Sequence, residues 1–388
     1  MSESSVEVPY QVDDPEPSNI RSIDSQTIVI TGAAGFLGSH ILRAGRSAFP
    51  EAHIVALDKS WTAEHRREFD KEYQDYNVSC KCLNITDTDA VRAFFNDEVT
   101  NVIAVVHSAG IVPNAQQHYD TSQKEYKRCY TVNVEGARNV LEAAKQSGVK
   151  AFVYTSSVTV LVDDPNINHR NMNESMPTGG ANLPYAMTKT IAENLVLEAN
   201  CGAFRTCSLR PSVLFGPGDE NCIPTLYSCI AKWETPFVIG NPIGTLYDFT
   251  YVTNVADAHV LALRTLLTTA TAAGEAFFIT NNEPISFRTF CLAVWAAFGH
   301  VPPFEMHIPV VLAWLLGLIM EIVTWVFGGE ATLSRGSVKE LTMDAYCDMS
   351  KAQKILGYRP KISLIEGIRL SCEVSKSREE SWSLKCLC

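Results

Sequence analysis

TGAAGFLG at residues 31–38 follows a short apolar run at 27–30 and precedes a segment with helical spacing that extends through Arg46. Its three glycines lack Cβ atoms, so the backbone of this turn can approach a pyrophosphate closely. The free N–H groups at the start of the following helix would favour the negative charge. Strand, turn and helix together predict a dinucleotide site. The predicted cofactor-binding residues of the turn are Gly32, Gly35, Phe36, Leu37 and Gly38.

An acidic residue closes the next apolar run. Asp58 follows the segment 54–57 and lies about 20 residues beyond the last glycine of the turn. We predict that it accepts hydrogen bonds from the hydroxyls of the adenosine ribose. A carboxylate there would repel a 2′-phosphate, which favours NAD, whereas the adjacent Lys59 leaves NADP as an alternative. The alternative is that Asp58 is a solvated carboxylate at a strand end and has no role in binding.

Short apolar runs alternate with helical segments along the first half of the chain. Runs of this kind are typical of parallel strands that helices cover on both faces. The predicted strands are residues 27–31, 54–58, 78–83, 102–107, 151–155 and 205–209, and the predicted helices include 89–95, 131–147 and 185–200. The pattern predicts an α/β fold, a Rossmann-type doubly wound parallel sheet with a smaller C-terminal substrate lobe.

Composition divides the chain into parts. Residues 1–25 contain acids and prolines and are predicted to form a mobile N-terminal tail. The dinucleotide-binding domain is predicted at 26–210. The chain returns to it at about 245–281, through a strand at 249–252, a helix at 254–267 and a strand at 276–280. The substrate lobe is predicted at 211–244 and 282–372, followed by a C-terminal tail at 373–388.

A phenol and an ammonium are four residues apart at Tyr185 and Lys189. On a helix both side chains lie on one face, where the ammonium favours the phenolate and lets tyrosine act as a base. Ser156 and Ser157 follow the strand predicted at 151–155, where a doubly wound sheet places its ligand crevice. One hydroxyl could donate to a substrate oxygen as it becomes a carbonyl. The set predicts a redox enzyme, and chance spacing with serines that cap a strand is the alternative.

The charge of the chain argues against one class of partner. A net charge of −11 over 388 residues leaves no basic surface for phosphates, so we expect no nucleic acid partner. The 12 cysteines include no CxxC motif. Cys80 and Cys82 share a face of a predicted strand, which suits buried thiols better than a zinc site, and we expect no metal. A reducing compartment is the simplest interpretation.

Residues 307–327, HIPVVLAWLLGLIMEIVTWVF, form a long apolar segment whose only acidic side chain is Glu321. The segment has about the length of a membrane-crossing helix, and its apolar residues occupy all sides instead of one stripe. Trp314 and Trp325 could lie at a membrane interface. We predict membrane association through this segment, by embedding or by spanning. The alternative is a buried lobe helix followed by a second short helix, because Pro309 and Glu321 interrupt the run.

Several motifs resemble those of the extended short-chain dehydrogenase/reductase superfamily. Besides the glycine-rich turn and Asp58, they are His107-Ser108-Ala109-Gly110, TVNVEGARNVL at 131–141, Tyr154-Thr155-Ser156-Ser157, and the pair Tyr185 and Lys189. Motifs at 209–219, 248–259, 274–281 and 354–360 resemble the 3β-hydroxysteroid dehydrogenase family, and its decarboxylating sterol dehydrogenases in particular. The resemblance spans roughly residues 27–370.

The resemblance implies roles for individual residues. It makes Ser157, rather than Ser156, the catalytic serine, Tyr185 the base and Lys189 its partner. Asn133 is implied to support the lysine through water. The implied cofactor-binding residues beyond the turn are Asp58, Asn84, Ile85, Ser108, Tyr185 and Lys189. Asn84 stands where the family usually has an aspartate that contacts adenine, and an amide keeps the capacity to hydrogen-bond there.

The resemblance also implies a reaction and a setting. The reaction is NAD(P)-dependent oxidation of the 3β-hydroxyl of a sterol or triterpenoid, a 4α-carboxysterol, to the 3-ketone with loss of CO2. Segments 112–127 and 183–184 depart from the sterol enzymes near the expected substrate mouth, which favours a relative of the primary sterol. The implied location is the endoplasmic reticulum membrane with the catalytic domain in the cytosol. The implied protein partners are a second copy of the chain or other sterol-modifying enzymes.

The sequence leaves other functions open. A 3β-hydroxysteroid dehydrogenase/isomerase or another terpenoid alcohol dehydrogenase would oxidise without decarboxylation. Sugar-nucleotide epimerases share the Ser, Tyr and Lys set, but they commonly carry an arginine where this chain has Tyr247. An aromatic side chain suits a hydrophobic substrate better. The last alternative is a non-catalytic NAD-binding module, which would have no need of the catalytic set.

Overall fold

The computed structural model of the chain describes residues 26–114, 117–164, 167, 169–241, 245–327 and 333–385. The N-terminal tail predicted at 1–25 lies outside these residues. The strands are β1 (Thr27–Thr31), β2 (His53–Asp58), β3 (Val78–Cys82), β4 (Val102–His107), β5 (Ala151–Thr155), β6 (Arg205–Pro211), β7 (Val213–Phe215), β8 (Phe237–Ile239), β9 (Phe249–Tyr251), β10 (Ala276–Ile279) and β11 (Met306–Ile308).

Helices cover this framework on both sides. They are α1 (Phe36–Ala48), α2 (Ala63–Tyr73), α3 (Thr88–Ala93), α4 (Gln123–Cys129), α5 (Ala137–Gln146), α6 (Thr159–Val162), α7 (Pro184–Glu198), α8 (Cys222–Ala231), α9 (Val252–Leu267), α10 (Phe287–Ala297), α11 (Val310–Phe327), α12 (Arg335–Thr342), α13 (Ser350–Leu356) and α14 (Leu364–Lys385). The π-helical turns Phe94–Glu98 and Tyr130–Gly136 continue α3 and α4, and Gln117–Tyr119 forms a 3₁₀ turn.

Seven parallel strands form one sheet in the order β3-β2-β1-β4-β5-β6-β10. All six strands predicted in the first half of the chain occur in it, and the Rossmann-type doubly wound fold is confirmed. The order of the strands reverses between β1 and β4. At such a reversal a crevice opens beyond the carboxyl ends of the strands, which is where this fold binds its ligands.

Alternating side chains of β1 contribute to the two hydrophobic cores, one on each face of the sheet. Ile28 and Ile30 lie in a buried cluster with residues of α1 and α9, while Val29 lies in the cluster on the opposite face, with residues of α5 and α7. Both faces are therefore covered, which accounts for the uninterrupted apolar run of the strand. This packing fixes the glycine-rich turn at the end of β1.

The outer strand β3 departs from the prediction of buried thiols. Cys80 is half-buried and Cys82 is exposed. The strand lies at the edge of the sheet, so one of its sides faces solvent. The cysteines share a face as predicted, but edge position rather than side-chain type decides their exposure.

The substrate lobe has its own small sheets and core. β7 pairs with β9 and β8 pairs with β11. The strand predicted at 249–252 thus occurs, but it pairs outside the main sheet, because the ring of Phe249 stacks on Phe290 with centroids 3.8 Å apart in the lobe core. β10 rejoins the main sheet beside β6. The helix α14 continues through Lys385, beyond residue 372, the predicted end of the substrate lobe.

The apolar segment forms one helix, α11, on the surface of the lobe. Small residues of the helix make its closest contacts with the lobe among the described side chains: Ala313 is buried, and a Cβ at Gly317 would lie 2.9 Å from the backbone nitrogen of Arg335 in α12. Val311 is 74% exposed and Ile319 is 55% exposed. The alternative of a buried lobe helix followed by a second short helix is therefore wrong for the described residues. Within those residues, no helix combines the length and the apolar character needed to cross a membrane.

Candidate active site

The predicted site residues meet at the carboxyl ends of four neighbouring strands. The glycine-rich turn follows β1, Asp58 ends β2, Ser108 follows β4, and Ser157 lies two residues beyond β5. Parallel strands bring these ends to the same edge of the sheet, although their residues are far apart in sequence. The structure therefore brings the predicted cofactor residues and catalytic residues into one crevice.

Backbone crowding explains the glycines of the turn. Gly32 has φ +72°, and a Cβ there would lie 2.7 Å from the backbone nitrogen of Ala109. A Cβ at Gly38 would overlap the carbonyl oxygen of Gly32, so the first turn of α1 packs directly on the bend. This close packing leaves a side-chain-free cradle at the N-terminus of α1, which fits a pyrophosphate. The residues present thus fit a dinucleotide.

Asp58 hydrogen-bonds the glycine-rich turn and is also the residue predicted to bind the ribose. Its Oδ2 accepts a hydrogen bond from the backbone N–H of Ala34 at 3.1 Å, and its Oδ1 accepts from that of Ser60 at 2.8 Å. Each carboxylate oxygen can accept a second bond, so both contacts are compatible with ribose hydroxyls. The carboxylate is held rigidly at the place where the sequence predicts the ribose.

The other predicted cofactor residues border the crevice. Ser108 donates its hydroxyl to the carbonyl of Thr31 at 2.8 Å, which joins the ends of β4 and β1. Asn84 is exposed and accepts from the N–H of Thr86 at 3.2 Å, while Ile85 is buried against Gly136. The two large side chains of the turn pack inward: Phe36 makes an edge contact with His40, and Leu37 lies against the buried core.

Tyr185 and Lys189 lie in the first turns of α7, and both are buried. The Nζ of Lys189 is 6.0 Å from the centre of the Tyr185 ring and donates to the carbonyl of Thr155 at 2.7 Å. Burial lowers the pKa of Lys189 to about 8, and the charge of Glu193 opposes that shift. Most of the Lys189 side chains therefore remain protonated at pH 7.

Burial has the opposite effect on the phenol. It raises the pKa of Tyr185 above its ordinary value, and a hydrogen bond with Ser157 opposes the rise. In the protein alone, desolvation of the phenolate is thus the largest influence on the ionisation of Tyr185. A base at this position needs additional positive charge or hydrogen bonds in the assembled complex.

The two serines are distinguished by their contacts. Ser157 accepts from the N–H of Thr159 at 3.2 Å and hydrogen-bonds Tyr185. The backbone of Ser156 donates to the carbonyl of Leu209, and its hydroxyl is buried without a hydrogen-bond partner among the described residues. The geometry therefore pairs the tyrosine with Ser157, the serine that the resemblance singled out.

Asn133 lies in the π-helical turn between α4 and α5 and holds the loop after β4. Its Oδ1 accepts from the N–H of Ile111 at 2.8 Å, and its amide donates to the carbonyl of the same residue at 3.2 Å. A Cβ at Gly110 would lie 3.1 Å from Asn133 Oδ1 and 3.5 Å from Lys189 Nζ. Asn133 and Lys189 therefore flank Gly110, and the bridge through water between them stays a prediction.

A polar cluster beside the site was missed by sequence reasoning. His118 Nε2 lies 3.7 Å from Asp163 Oδ1, and the hydroxyl of Tyr119 donates to Glu340. The hydroxyl of Tyr247 donates to the same carboxylate at 3.4 Å. Of these, Tyr247 alone was singled out from the sequence. The departure of segment 112–127 from the sterol enzymes was the sequence signal that pointed to the cluster.

The matching family model describes the 3-beta hydroxysteroid dehydrogenase/isomerase family and covers residues 29–310. The chain belongs to this family, and the family resemblance seen in the sequence is confirmed.

Individual relatives match almost the whole chain. The chain is 34% identical to sterol-4-alpha-carboxylate 3-dehydrogenase, decarboxylating, of Saccharomyces cerevisiae, over 89% of this chain and 96% of the yeast protein. It is 30% identical to the mouse protein of the same name, over 87% of this chain and 88% of the mouse protein. It is 37% identical to 3beta-hydroxysteroid-dehydrogenase/decarboxylase isoform 2 of Arabidopsis thaliana, over 88% of this chain and 60% of the plant protein.

Solved structures support the fold. UDP-glucuronic acid 4-epimerase from Bacillus cereus, in complex with NAD, superposes with a TM-score of 0.68 at 20% identity, over 91% of this chain and 99% of that one. dTDP-glucose 4,6-dehydratase from Bacillus anthracis, also with NAD, superposes with a TM-score of 0.66 at 17% identity, over 92% and 98% of the two chains. The architecture of the sheet and lobe is thus shared with these enzymes.

Proposed function

We propose that the chain oxidises the 3β-hydroxyl of a 4α-carboxysterol, or of a related triterpenoid acid, to the 3-ketone with NAD, and that the C4 carboxylate leaves as CO2. The observation that carries this proposal is the meeting of Ser157, Tyr185 and Lys189 beside the glycine-rich cradle. Similarity to decarboxylating sterol dehydrogenases over nearly their full length supports the substrate class.

The cradle, Asp58 and the nearby ends of β3 and β4 would hold the dinucleotide. When bound, the nicotinamide supplies the acceptor for the hydride that leaves C3. The carboxylate of Asp58 would hydrogen-bond the ribose and disfavour a 2′-phosphate, which is the reason for naming NAD rather than NADP.

Tyr185 takes the proton of the 3-hydroxyl, and Ser157 donates a hydrogen bond to the same oxygen as it becomes a carbonyl. Lys189 stabilises the phenolate from the same helix face, and a cationic nicotinamide ring nearby would add to its effect. Because burial raises the pKa of Tyr185, we expect turnover to increase with pH through the neutral range.

Loss of CO2 follows from the chemistry of the product. Oxidation at C3 makes the C4 carboxylate part of a β-keto acid, so the C4–carboxyl bond breaks with its electron pair delocalised into the ketone as an enolate. Hydrogen bonds from Ser157 and protonated Tyr185 to that oxygen would stabilise the enolate, and C4 then takes up a proton from water. The step requires no metal.

The lobe favours a hydrophobic substrate over a sugar nucleotide. Tyr247 is buried and its hydroxyl donates to Glu340, so the position that commonly carries an arginine in sugar-nucleotide epimerases bears an aromatic ring beside a carboxylate. A diphosphate would be repelled there. The arginine that would bind the diphosphate of a sugar nucleotide is therefore absent at this position.

The test is turnover of a 4α-carboxy-3β-hydroxysterol with NAD, followed by NADH absorbance and released CO2. We expect both signals from the acid, and NADH without CO2 from the analogue that lacks the carboxylate. Tyr185→Phe should reduce turnover by about 10²- to 10⁴-fold while NAD still binds. The matched control is Tyr76→Phe, which removes an exposed phenol just before β3, at the opposite end of the sheet from the site. Near-normal turnover by Tyr185→Phe would refute the assignment.

We further propose that α11 binds the chain to a membrane, at the endoplasmic reticulum with the catalytic domain in the cytosol. Ten large apolar side chains of the helix are exposed. They are Val310, Val311, Leu312, Trp314, Leu315, Leu316, Ile319, Ile322, Val323 and Val326. Phe237, Phe304 and Met306, in or next to β8 and β11, extend this surface. So large an exposed apolar surface fits the boundary of a bilayer that also dissolves the sterol.

Flotation with phosphatidylcholine vesicles tests membrane binding. Burial of a large apolar side chain contributes about 1.5–3 kcal/mol, and these side chains are about half exposed. The double variant Leu315→Lys, Ile319→Lys should therefore reduce the bound fraction at least about tenfold, while Ile365→Lys on α14 should float as the unaltered chain does. Equal flotation of all three proteins would contradict the proposal. A homodimer and complexes with other sterol-modifying enzymes stay predictions from the resemblance.

A further inference from the structure

The 3₁₀ turn Gln117–Tyr119 belongs to the dinucleotide-binding half of the molecule and contacts the substrate lobe. The hydroxyl of Tyr119 donates to Glu340 in α12, and a Cβ at Gly336 of the same helix would overlap the Tyr119 ring. The turn is therefore packed tightly against the lobe. This contact fixes the position of the preceding residue, His118.

His118 faces an acid that lies close to the catalytic residues. Asp163 follows α6, which begins two residues after Ser157 and packs against α7, the helix that bears Tyr185. Most of the step from Ser157 to Asp163 is the helix α6, so the two residues lie less than two helical turns apart along the chain. Its side chain is 9% exposed, and one oxygen lies 3.7 Å from His118 Nε2. The other oxygen is buried without a hydrogen-bond partner among the described residues.

The surroundings of His118 favour its charged form. Burial lowers the pKa of the imidazole, but the nearby carboxylates of Asp163 and Glu340 outweigh this effect, so the pKa lies above its ordinary value. The same Asp163 raises the pKa of Tyr185, as expected for two groups in one neighbourhood. The imidazole thus lies beside two carboxylates that favour its protonated form.

The proposed substrate requires such a cation. Its carboxylate is attached to C4, one carbon from the C3 oxygen that Tyr185 contacts. Near Asp163 and Glu340 an additional anion would be repelled unless a positive group lay beside it. Lys189 is buried behind Tyr185 and donates to the carbonyl of Thr155, so its charge is engaged elsewhere. His118, held by one nitrogen at Asp163, can present its second nitrogen to the substrate.

We propose that His118 binds the C4 carboxylate of the substrate and thereby sets the preference for the acid over the corresponding 3β-alcohol. Asp163 acts as the positioning residue that orients the imidazole. This inference rests on the proposed function, because it needs a substrate with a carboxylate beside the reacting alcohol.

The experiment compares kcat/KM for the 4α-carboxy-3β-hydroxysterol and for its analogue without the carboxylate. In His118→Gln the ratio of acid to alcohol should fall about 10- to 100-fold, mostly through KM for the acid, because a charge-assisted hydrogen bond is lost. His118→Lys restores a cation and should recover part of the ratio. His53→Gln, at the opposite end of the sheet, is the matched control and should leave both constants unchanged.

A pH profile adds a readout that a purely structural role would not move. KM for the acid should rise as pH passes the pKa of His118, whereas KM for the alcohol should stay level, and His118→Lys should move that rise to higher pH. The groups that face the imidazole are Asp163, Glu340 and Tyr119. Asp163→Asn should bring the rise to lower pH, because the charge that raises the pKa is removed.

The outcomes separate the two proposals. An unchanged ratio in His118→Gln, or an equal loss with both substrates, would overturn the role of His118 while leaving the dehydrogenase assignment intact. A wild-type chain that releases no CO2 from the acid would instead refute the proposed function. If His118→Gln does not fold, the ratio in Asp163→Asn and the pH profile of the wild-type chain decide the question.

Discussion

Two glycine-to-alanine substitutions within α1 test the cofactor cradle and the helix separately. One changes a glycine that packs on the cradle, and the other changes a glycine further along the helix. A Cβ at Gly38 would overlap the carbonyl oxygen of Gly32 and lie 2.6 Å from its carbonyl carbon. These are backbone atoms, so they can move only if the whole turn moves. A Cβ at Gly45, seven residues on, would meet the side chains of Ile30 and Ile54 at 3.6 and 3.7 Å, which are ordinary contacts.

The expected effects have opposite signs. Replacing a helical glycine by alanine contributes about 0.5–1 kcal/mol of stability, so Gly45→Ala should raise the free energy of unfolding by up to that amount. Gly38→Ala adds an overpacking cost of about 1–3 kcal/mol, which leaves a net loss of up to about 2.5 kcal/mol. The displaced turn should also weaken NAD binding at least about tenfold, because the N–H groups no longer converge on the pyrophosphate.

Urea unfolding and calorimetric titration with NAD measure both quantities. Gly45→Ala should bind NAD as the unaltered chain does and unfold at a higher urea concentration. The reasoning fails if Gly38→Ala binds NAD with unchanged affinity, or if its unfolding midpoint equals that of Gly45→Ala.

Three further outcomes are expected. Asp58→Asn keeps hydrogen-bond acceptors and removes the charge, so the ratio of NADP to NAD affinity, measured by titration, should rise about tenfold. Glu193→Gln breaks a buried pair with Arg210, whose side chains are 1% and 5% exposed, and should lower the free energy of unfolding by about 3–5 kcal/mol in urea. Burial raises the pKa of Asp248 to about 7, so the folded chain keeps this proton longer than the unfolded chain, and stability is lost as pH rises toward 7. Between pH 6 and 8 the loss should be about 1 kcal/mol and should be absent in Asp248→Asn, and an equal slope in both proteins would contradict it.

The predictions that succeeded rest on local patterns. Each predicted strand of the first half is an apolar run bounded by turn residues, and the spacing of Tyr185 and Lys189 needs only one helix to be correct. The resemblance of the motifs selected Ser157, and its catalytic role stays a prediction, with which its position beside Tyr185 is compatible. The fold could therefore be predicted without tertiary contacts.

The predictions that failed concern exposure and pairing. The exposure of Cys82 follows from the edge position of β3, and the pairing of Phe249 follows from the aromatic core of the lobe. The burial that raises the pKa of Tyr185 was likewise not visible in the sequence, and the role of Tyr185 as the base stays a prediction. Each error comes from a quantity that depends on the whole fold.

By itself, the sequence determined the Rossmann-type sheet, the glycine-rich cradle, the position of Asp58 and the apolar character of α11, because each depends on residues that are neighbours along the chain. Only the tertiary structure decided that Tyr119 meets Glu340 across 221 residues, and that His118 consequently lies beside Asp163. It also decided that small residues of α11 pack against α12 while ten of its large apolar side chains are exposed. The physical reason is that local spacing fixes which side chains share a face, whereas packing between distant segments fixes what that face contacts.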